Sequence, residues 1–403
     1  MPEGIEISSN DVPSTHIENR SIQANPSARL DYLEGLRGVA ALYVVFHHIY
    51  LELIQRTGSG TVPNLYAKLF KIFDYGHYSV DIFIVLSGYC LMIPVAKSKD
   101  GELRGGFFGY IKRRALRILV PYYPTLILTL LIARILWNLE PHLAQRDYTL
   151  HQTITVPYLL AQSALIQNLF TQFTIYVNGP LWSVATEWQI YFIFPILLII
   201  YRKAGIFASF LAATLIWFIL FLTLKHKIDL AYPWFIILFA MGMAGATINF
   251  SNDALMRRIS EWKYWKTLTI SLWLGTAVLG IGLGHWFSSH RVVSDSLTGV
   301  ATLALLITLT GSLQSGKPIS KLSLLGLLTS KPVEKLGSFS YSLYLVHYPI
   351  LVMCHAFLIY SGCAPLARTV LMYLIGLPSA LLVGYLFSLA FEKPIIAMQR
   401  SRK

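Results

Sequence analysis

The sequence predicts an all-α fold: a polytopic membrane bundle of about ten transmembrane helices with both termini in the cytosol. Three observations predict it. Hydrophobic residues make up 55% of the chain and charged residues only 13%, where soluble domains carry roughly 25% charged residues. Ten apolar runs are long enough to cross a bilayer, which takes about 20 residues each. Finally, the 33 Lys and Arg residues divide 24 to 9 between alternate connections, the bias that separates cytosolic loops from translocated ones.

The runs fall near 36–54, 79–96, 117–138, 181–201, 205–224, 230–250, 267–287, 296–313, 339–360 and 369–391. The second is short because Asp81 and Lys97 bound it. A weaker run at 153–170 carries Gln162, Gln167 and Asn168, so it reads as a re-entrant or interfacial helix. Residues 1–28 are rich in Ser, Asn, Pro and Glu and read as a disordered cytosolic tail. They lack the basic-plus-apolar pattern of a cleavable signal. Residues 29–395 form one helical membrane domain, without repeat or inserted soluble domain, and 396–403 a short basic tail.

The net charge of +13 invites a nucleic-acid reading. The basic residues are spread between apolar segments, however, so topology explains them and the expected partner is the lipid bilayer, not nucleic acid. Cys90, Cys354 and Cys363 are dispersed, with no disulfide framework and no metal-type spacing. No metal or prosthetic group is expected, and the sequence assigns no oligomeric state.

The first apolar run opens with Arg37 and holds His47 and His48 well inside it. At about 100° and 1.5 Å per residue, His48 returns to within ~20° of Arg37 and lies ~16 Å further along. Arg37 can then sit at the membrane surface with His48 below it on the same face. Ionisable groups inside a membrane helix are costly and mark functional sites by default. The alternative is a histidine that merely satisfies buried polar partners.

Further polar groups follow in order. Asp81 opens the second run, where it needs a partner; His48 and His77 are candidates. Ser87 and Gly88 lie near mid-membrane, where a Ser-Gly pair admits a close helix or a ligand. Lys112, Arg113, Arg114 and Arg117 place four cations in six residues at a cytosolic helix start. They suit topology and headgroup anchoring, or a polyphosphate ligand, with Arg114 and Arg117 on one face. Trp182 and Trp188 suit an interface, and Glu187 is an acid at the start of a span. In the ninth run Tyr341, Tyr344 and His347 recur every three residues, a polar stripe that must line a cavity or a hydrogen-bonded core.

These blocks together resemble the membrane acyltransferase 3 family over essentially the whole chain. Arg37-x10-His48 is similar to the family's Arg-x10-His motif. Val80-Asp81-Ile-Phe-Ile-Val-Leu-Ser87-Gly88 is similar to its Val-Asp-x-Phe-Phe-Val-Leu-Ser-Gly. The Arg113 to Pro121, Leu181-Trp182-Ser183…Glu187…Tyr191 and Ser340-Tyr341…Tyr344…His347 runs also look like family blocks. Each is weak alone, and five in order make a specific signal. The chain departs from many bacterial members in carrying no appended hydrolase-like domain. It also has Trp188 where a second acid commonly follows Glu187. The compact Glu-Trp-Gln form is similar to fungal members found with small-molecule biosynthesis.

The resemblance implies O-acyl transfer, of acetyl above all, from acyl-CoA as co-substrate to a hydroxyl of a small molecule such as a secondary metabolite, or of a sugar. A neutral imidazole suits the general base. His48 is expected in that role, oriented by Asp81 or a tyrosine, with His47 as the alternative base. Arg37, Arg113, Arg114 and Arg117 are expected to hold the CoA phosphates. Ser87, Trp182, Glu187, Tyr341, Tyr344 and His347 are expected around the substrate. A covalent route through Ser87 is the alternative chemistry. A proton-coupled small-molecule transporter is the alternative function, since buried His, Asp, Glu and Tyr also serve carriers, and a non-catalytic scaffold is a third. The expected membrane is an endomembrane such as the ER in a eukaryote, or the inner or plasma membrane in a bacterium.

Overall fold

The structure, a computed structural model, describes residues 31–55, 64–98, 100–139, 155–173 and 178–401. The tail expected at 1–28 lies outside the described residues. Among the described residues there is no strand, and nine helices are long and apolar enough to cross a membrane. We number them α1 (Asp31–Gln55), α2 (Tyr78–Lys97), α3 (Gly106–Leu139), α4 (Leu181–Leu224), α5 (Phe235–Phe250), α6 (Trp265–Leu283), α7 (Arg291–Gln314), α8 (Ser340–Tyr360) and α9 (Pro365–Gln399). The fold is an all-α polytopic bundle.

Nine helices reconcile with ten apolar runs because α4 is two spans. A straight helix of its 44 residues would be about 66 Å long, twice a hydrocarbon core of ~30 Å. It breaks at Gly205, whose φ of 80° and ψ of −178° lie in a region that only glycine adopts readily. Ser209 Oγ then donates to Leu197 O at 2.8 Å. Twelve residues apart in a straight helix, these groups would be ~18 Å apart, so the chain doubles back.

Three boundaries differ from expectation. α3 begins at Gly106, not near 117, so the cations from Lys112 to Arg117 lie within the helix; long basic side chains carry their charge outward along apolar surface. The weak run near 153–170 becomes a helix at Val156–Ser163 followed by 3-10 turns at Gln167–Leu169 and Thr171–Phe173. Eight residues span only ~12 Å. They are held as a ledge, with Tyr122 Oη donating to Gln162 O at 2.9 Å and Gln189 Nε2 to Asn168 Oδ1 at 2.7 Å. α9 runs to Gln399 through π turns at Met372–Gly376 and Ser388–Glu392, so the helix continues into the stretch expected as a basic tail. Gln399 Nε2 ties it to Arg113 O at 3.1 Å.

The helices sort by depth. Buried residues fill 78% of the apolar windows of α2 and α5, against 11% for α6, so the first two form the centre and α6 faces outward. α2 and α5 approach backbone to backbone. A Cβ on Gly88 would collide with Phe239 O, and one on Gly242 with Val85 O. Small residues let membrane helices pack this closely when no hydrophobic drive separates helix from lipid. Gly88 is thus a packing residue.

Candidate active site

A cavity of about 290 Å³ opens among the ends of α2, α4 and α5 and the side of α1. Its wall includes His47, His48, Glu52, His77, Trp182 and Tyr344. Gly179 and Pro180 bring the start of α4 to it, and Tyr232 the start of α5.

Two contacts of His48 meet at one nitrogen. Its Nδ1 lies 2.9 Å from Val44 O, one turn earlier, and 3.2 Å from His347 Nε2. His347 Nδ1 in turn lies 2.7 Å from Tyr344 O and 3.2 Å from Leu343 O. Carbonyls only accept, so His347 carries its proton on Nδ1 and presents a lone pair at Nε2. His48 then donates from Nδ1 to both acceptors and holds its own lone pair on Nε2. His347 is fully buried behind His48, and Tyr348 packs edge-on to His48 at 5.4 Å between ring centres.

His47 faces a different neighbour, as the ~100° helical step requires. Its Nδ1 donates to Phe73 O at 2.7 Å, and its ring lies where a Cβ on Gly76 would be. Any side chain at 76 would displace the imidazole.

Asp81 does not orient His48. Its carboxylate is completely buried and neither oxygen has a hydrogen-bond partner. It lies instead in a group with His77 and Asp295. The i, i+4 spacing of His77 and Asp81 puts both on one helix face, turned toward Asp295 of α7. Groups that do hold His48 include a main-chain carbonyl and a histidine from α8.

The stripe of Tyr341, Tyr344 and His347 stitches α8 to three other helices. Tyr341 Oη donates to Ile118 O of α3 at 3.2 Å. Tyr344 Oη donates to Pro180 O at 3.1 Å and meets Ser183 Oγ of α4 at 2.6 Å. His347 reaches α1. Only Tyr344 of the three lines the cavity. Trp182 lines it as well, stacked on Tyr232 with 4.3 Å between ring centres.

A second polar cluster sits deeper in the bundle. Ser87 Oγ lies 2.9 Å from Tyr191 Oη, which donates to Glu187 Oε1 at 2.6 Å. The Arg114 guanidinium lies 5.9 Å from the Tyr191 ring centre, and its Nε is buried without a partner. One turn along α2 from Ser87, Cys90 Sγ accepts from Arg37 at 3.3 Å, while Arg37 also pairs with Glu34 at 2.8 Å. The arginines do not form one clamp. Arg113 donates to Arg104 O on the exposed side, and Arg117 lies in the field of Glu392 while Arg114 turns to Tyr191. Arg37 and Arg114 are the two that converge on the Ser87–Tyr191–Glu187 cluster.

Sequence reasoning passed over Glu52 and His355. Their Oε1 and Nδ1 meet at 3.0 Å, both residues nearly fully buried. The signal was present, since each is an ionisable group within an expected span, and Glu52 follows His48 by one turn. Asp295 gave less warning because it fell just outside its run.

The cavity with its positioned imidazole, and the partly buried arginines behind it, sit within a helical membrane bundle. The sequence model of a family described as an acyltransferase domain matches residues 30–389, and the chain belongs to that family: it is a multi-pass membrane acyltransferase. It is also similar to "Protein 2 in picA locus" of Rhizobium radiobacter, 30% identical over 170 residues, which make up 41% of this chain and 78% of that protein. No solved structure matches. Nothing in these findings favours the transporter.

Proposed function

We propose that the protein moves an acyl group, acetyl above all, from acyl-CoA to a hydroxyl of a small molecule such as a secondary metabolite, or of a sugar. The observation that carries this reading is the His48–His347 contact at 3.2 Å in the wall of the cavity. It fixes the tautomer in which His48 Nε2 is the basic nitrogen.

In this reading the acceptor occupies the cavity and the donor approaches from the arginine end. His48 Nε2 takes the proton of the acceptor hydroxyl as its oxygen attacks the thioester carbonyl carbon. The tetrahedral intermediate collapses with cleavage of the carbon–sulfur bond, and the imidazolium returns its proton to the CoA thiolate. Arg37 and Arg114 supply charge for the phosphates by charge-assisted hydrogen bonds. The ~16 Å rise from Arg37 to His48 suits an extended pantetheine arm. A resident prosthetic group has no part in this scheme.

The test is acyl-CoA turnover in membranes, read as released CoA thiol and as acylated product by mass, with a panel of hydroxylated acceptors. Wild type yields product, His48→Ala loses it at equal expression, and His47→Ala keeps it. Full activity in His48→Ala would sink the mechanism; product covalently held on Ser87 would replace it with a double displacement.

A further inference from the structure

We propose that His77, Asp81 and Asp295 form a binding site for a divalent transition cation of the zinc or manganese kind, beside the cavity and apart from the acyl-transfer groups. The three residues come from two helix ends: His77 caps α2 and Asp81 lies in its first turn, while Asp295 lies in the first turns of α7. Their candidate donor atoms all lie within 4.8 Å of one another. One imidazole nitrogen and two carboxylate oxygens are a donor set that suits these cations.

The independent mark of a ligand is Asp81. It is completely buried, and both its oxygens lack a protein partner where a carboxylate would normally accept several hydrogen bonds. Asp295 is equally buried and is already oriented. Trp234 Nε1 donates to its Oδ2 at 2.9 Å, Ser294 Oγ donates to its Oδ1 at 3.4 Å, and His77 Nε2 lies 3.3 Å from Oδ1. An indole donor that holds one carboxylate oxygen fixes the aim of the group. The field of Arg291 reaches Asp81 without a hydrogen bond to it. Two buried acids with no guanidinium or ammonium paired to them among the described residues are expensive in a membrane protein. A divalent cation among them removes that cost and ties α2 to α7. Donors ~2.1 Å from a tetrahedral cation stand ~3.5 Å apart, so donors now within 4.8 Å of one another close by at most ~1.3 Å on loading. His77 also lines the cavity, so the cation would stand one side chain from the acceptor.

The experiment uses the full-length protein in detergent, stripped with chelator, loaded separately with zinc or manganese and desalted. Metal content is read by mass spectrometry and thermal stability by melting. The site predicts about one retained equivalent per chain, as three protein ligands would hold, together with a metal-dependent rise in Tm. Both fall to background in Asp81→Asn and in Asp295→Asn, the latter keeping an acceptor for Trp234. His77→Gln, at the half-buried cavity wall, serves if the aspartate variants do not fold. Wild type with no metal above background overturns the proposal, as does metal retained equally by all three variants. A protonated-carboxyl infrared band that survives loading and vanishes in Asp81→Asn also overturns it, because the acids would then share a proton instead.

Discussion

His48 on α1 and His347 on α8 meet nitrogen to nitrogen at 3.2 Å, although 299 residues separate them. Because main-chain carbonyls claim the Nδ1 proton of His347, the direction of the contact is determined: His48 donates and His347 accepts. A buried imidazole thereby acts as the rear support of the one in the cavity wall.

Removing that support should slow the reaction without abolishing it. His347→Ala is expected to lower kcat about tenfold, while His48→Ala lowers it by ~100-fold or more, the usual range for a general base. KM for both substrates should stay near wild type. Steady-state kinetics on purified protein decides this. Equal losses for the two variants would make His347 part of the chemistry itself.

Arg37 and Arg114 should act on the donor. A hydrogen bond to a charged group contributes about 1.5–3 kcal/mol, so each alanine variant is expected to raise KM for acyl-CoA roughly 10–100-fold. Arg113→Ala, which removes only an exposed contact with a main-chain carbonyl, should change it less than threefold by the same scale. Competition by free CoA measures all three. If Arg113 rather than Arg114 controls affinity, the phosphates bind at the outer face.

Glu52 and His355 form a buried pair with 3.0 Å between Oε1 and Nδ1, and His355 Nε2 has no partner. Glu52→Ala strands the second nitrogen of a buried imidazole. The expected loss is about 1–3 kcal/mol of stability, seen as a lower Tm in detergent. Glu52→Gln retains an acceptor and should recover most of it. A melting curve unchanged by Glu52→Ala would show that water replaces the carboxylate.

Gly242→Val should be the most disruptive single change outside the cavity. It drives a side chain into Val85 O and Tyr89 N and forces the central helices apart, an overpacking cost of roughly 1–3 kcal/mol or more. Gly275→Val on α6, where an added Cβ meets nothing within 4 Å, is the control and should be tolerated. Expression and size-exclusion profiles compare them directly.

The helices were largely legible in the sequence because apolar length alone specifies a span. The Arg37–His48 register was also legible, since a helical step depends on counting alone. What the sequence did not carry was the partner of each buried polar group. Asp81 was expected beside His48 or His77; it groups with His77 and also with Asp295, from a helix more than two hundred positions away. Tyr341, Tyr344 and His347 share a spacing that suggests one lined surface, yet each reaches a different helix. Such choices depend on how helices rotate against their neighbours, and close contacts such as those at Gly88 and Gly242 have no side chain to announce them. Glu52 was readable in principle, an acid one turn beyond a histidine in an apolar run.

The turn at Gly205 has a consequence for sidedness. Each passage through the bilayer reverses which compartment the next loop enters, so parity is inherited by everything downstream. Were residues 181–224 to pass straight through as one rod, every later segment would be inverted. α8 would then run against α1 in the opposite sense, and His347 would meet the membrane from the wrong compartment. One backbone angle, at a residue far from the cavity, thus decides whether two histidines from opposite ends of the chain are ever brought face to face.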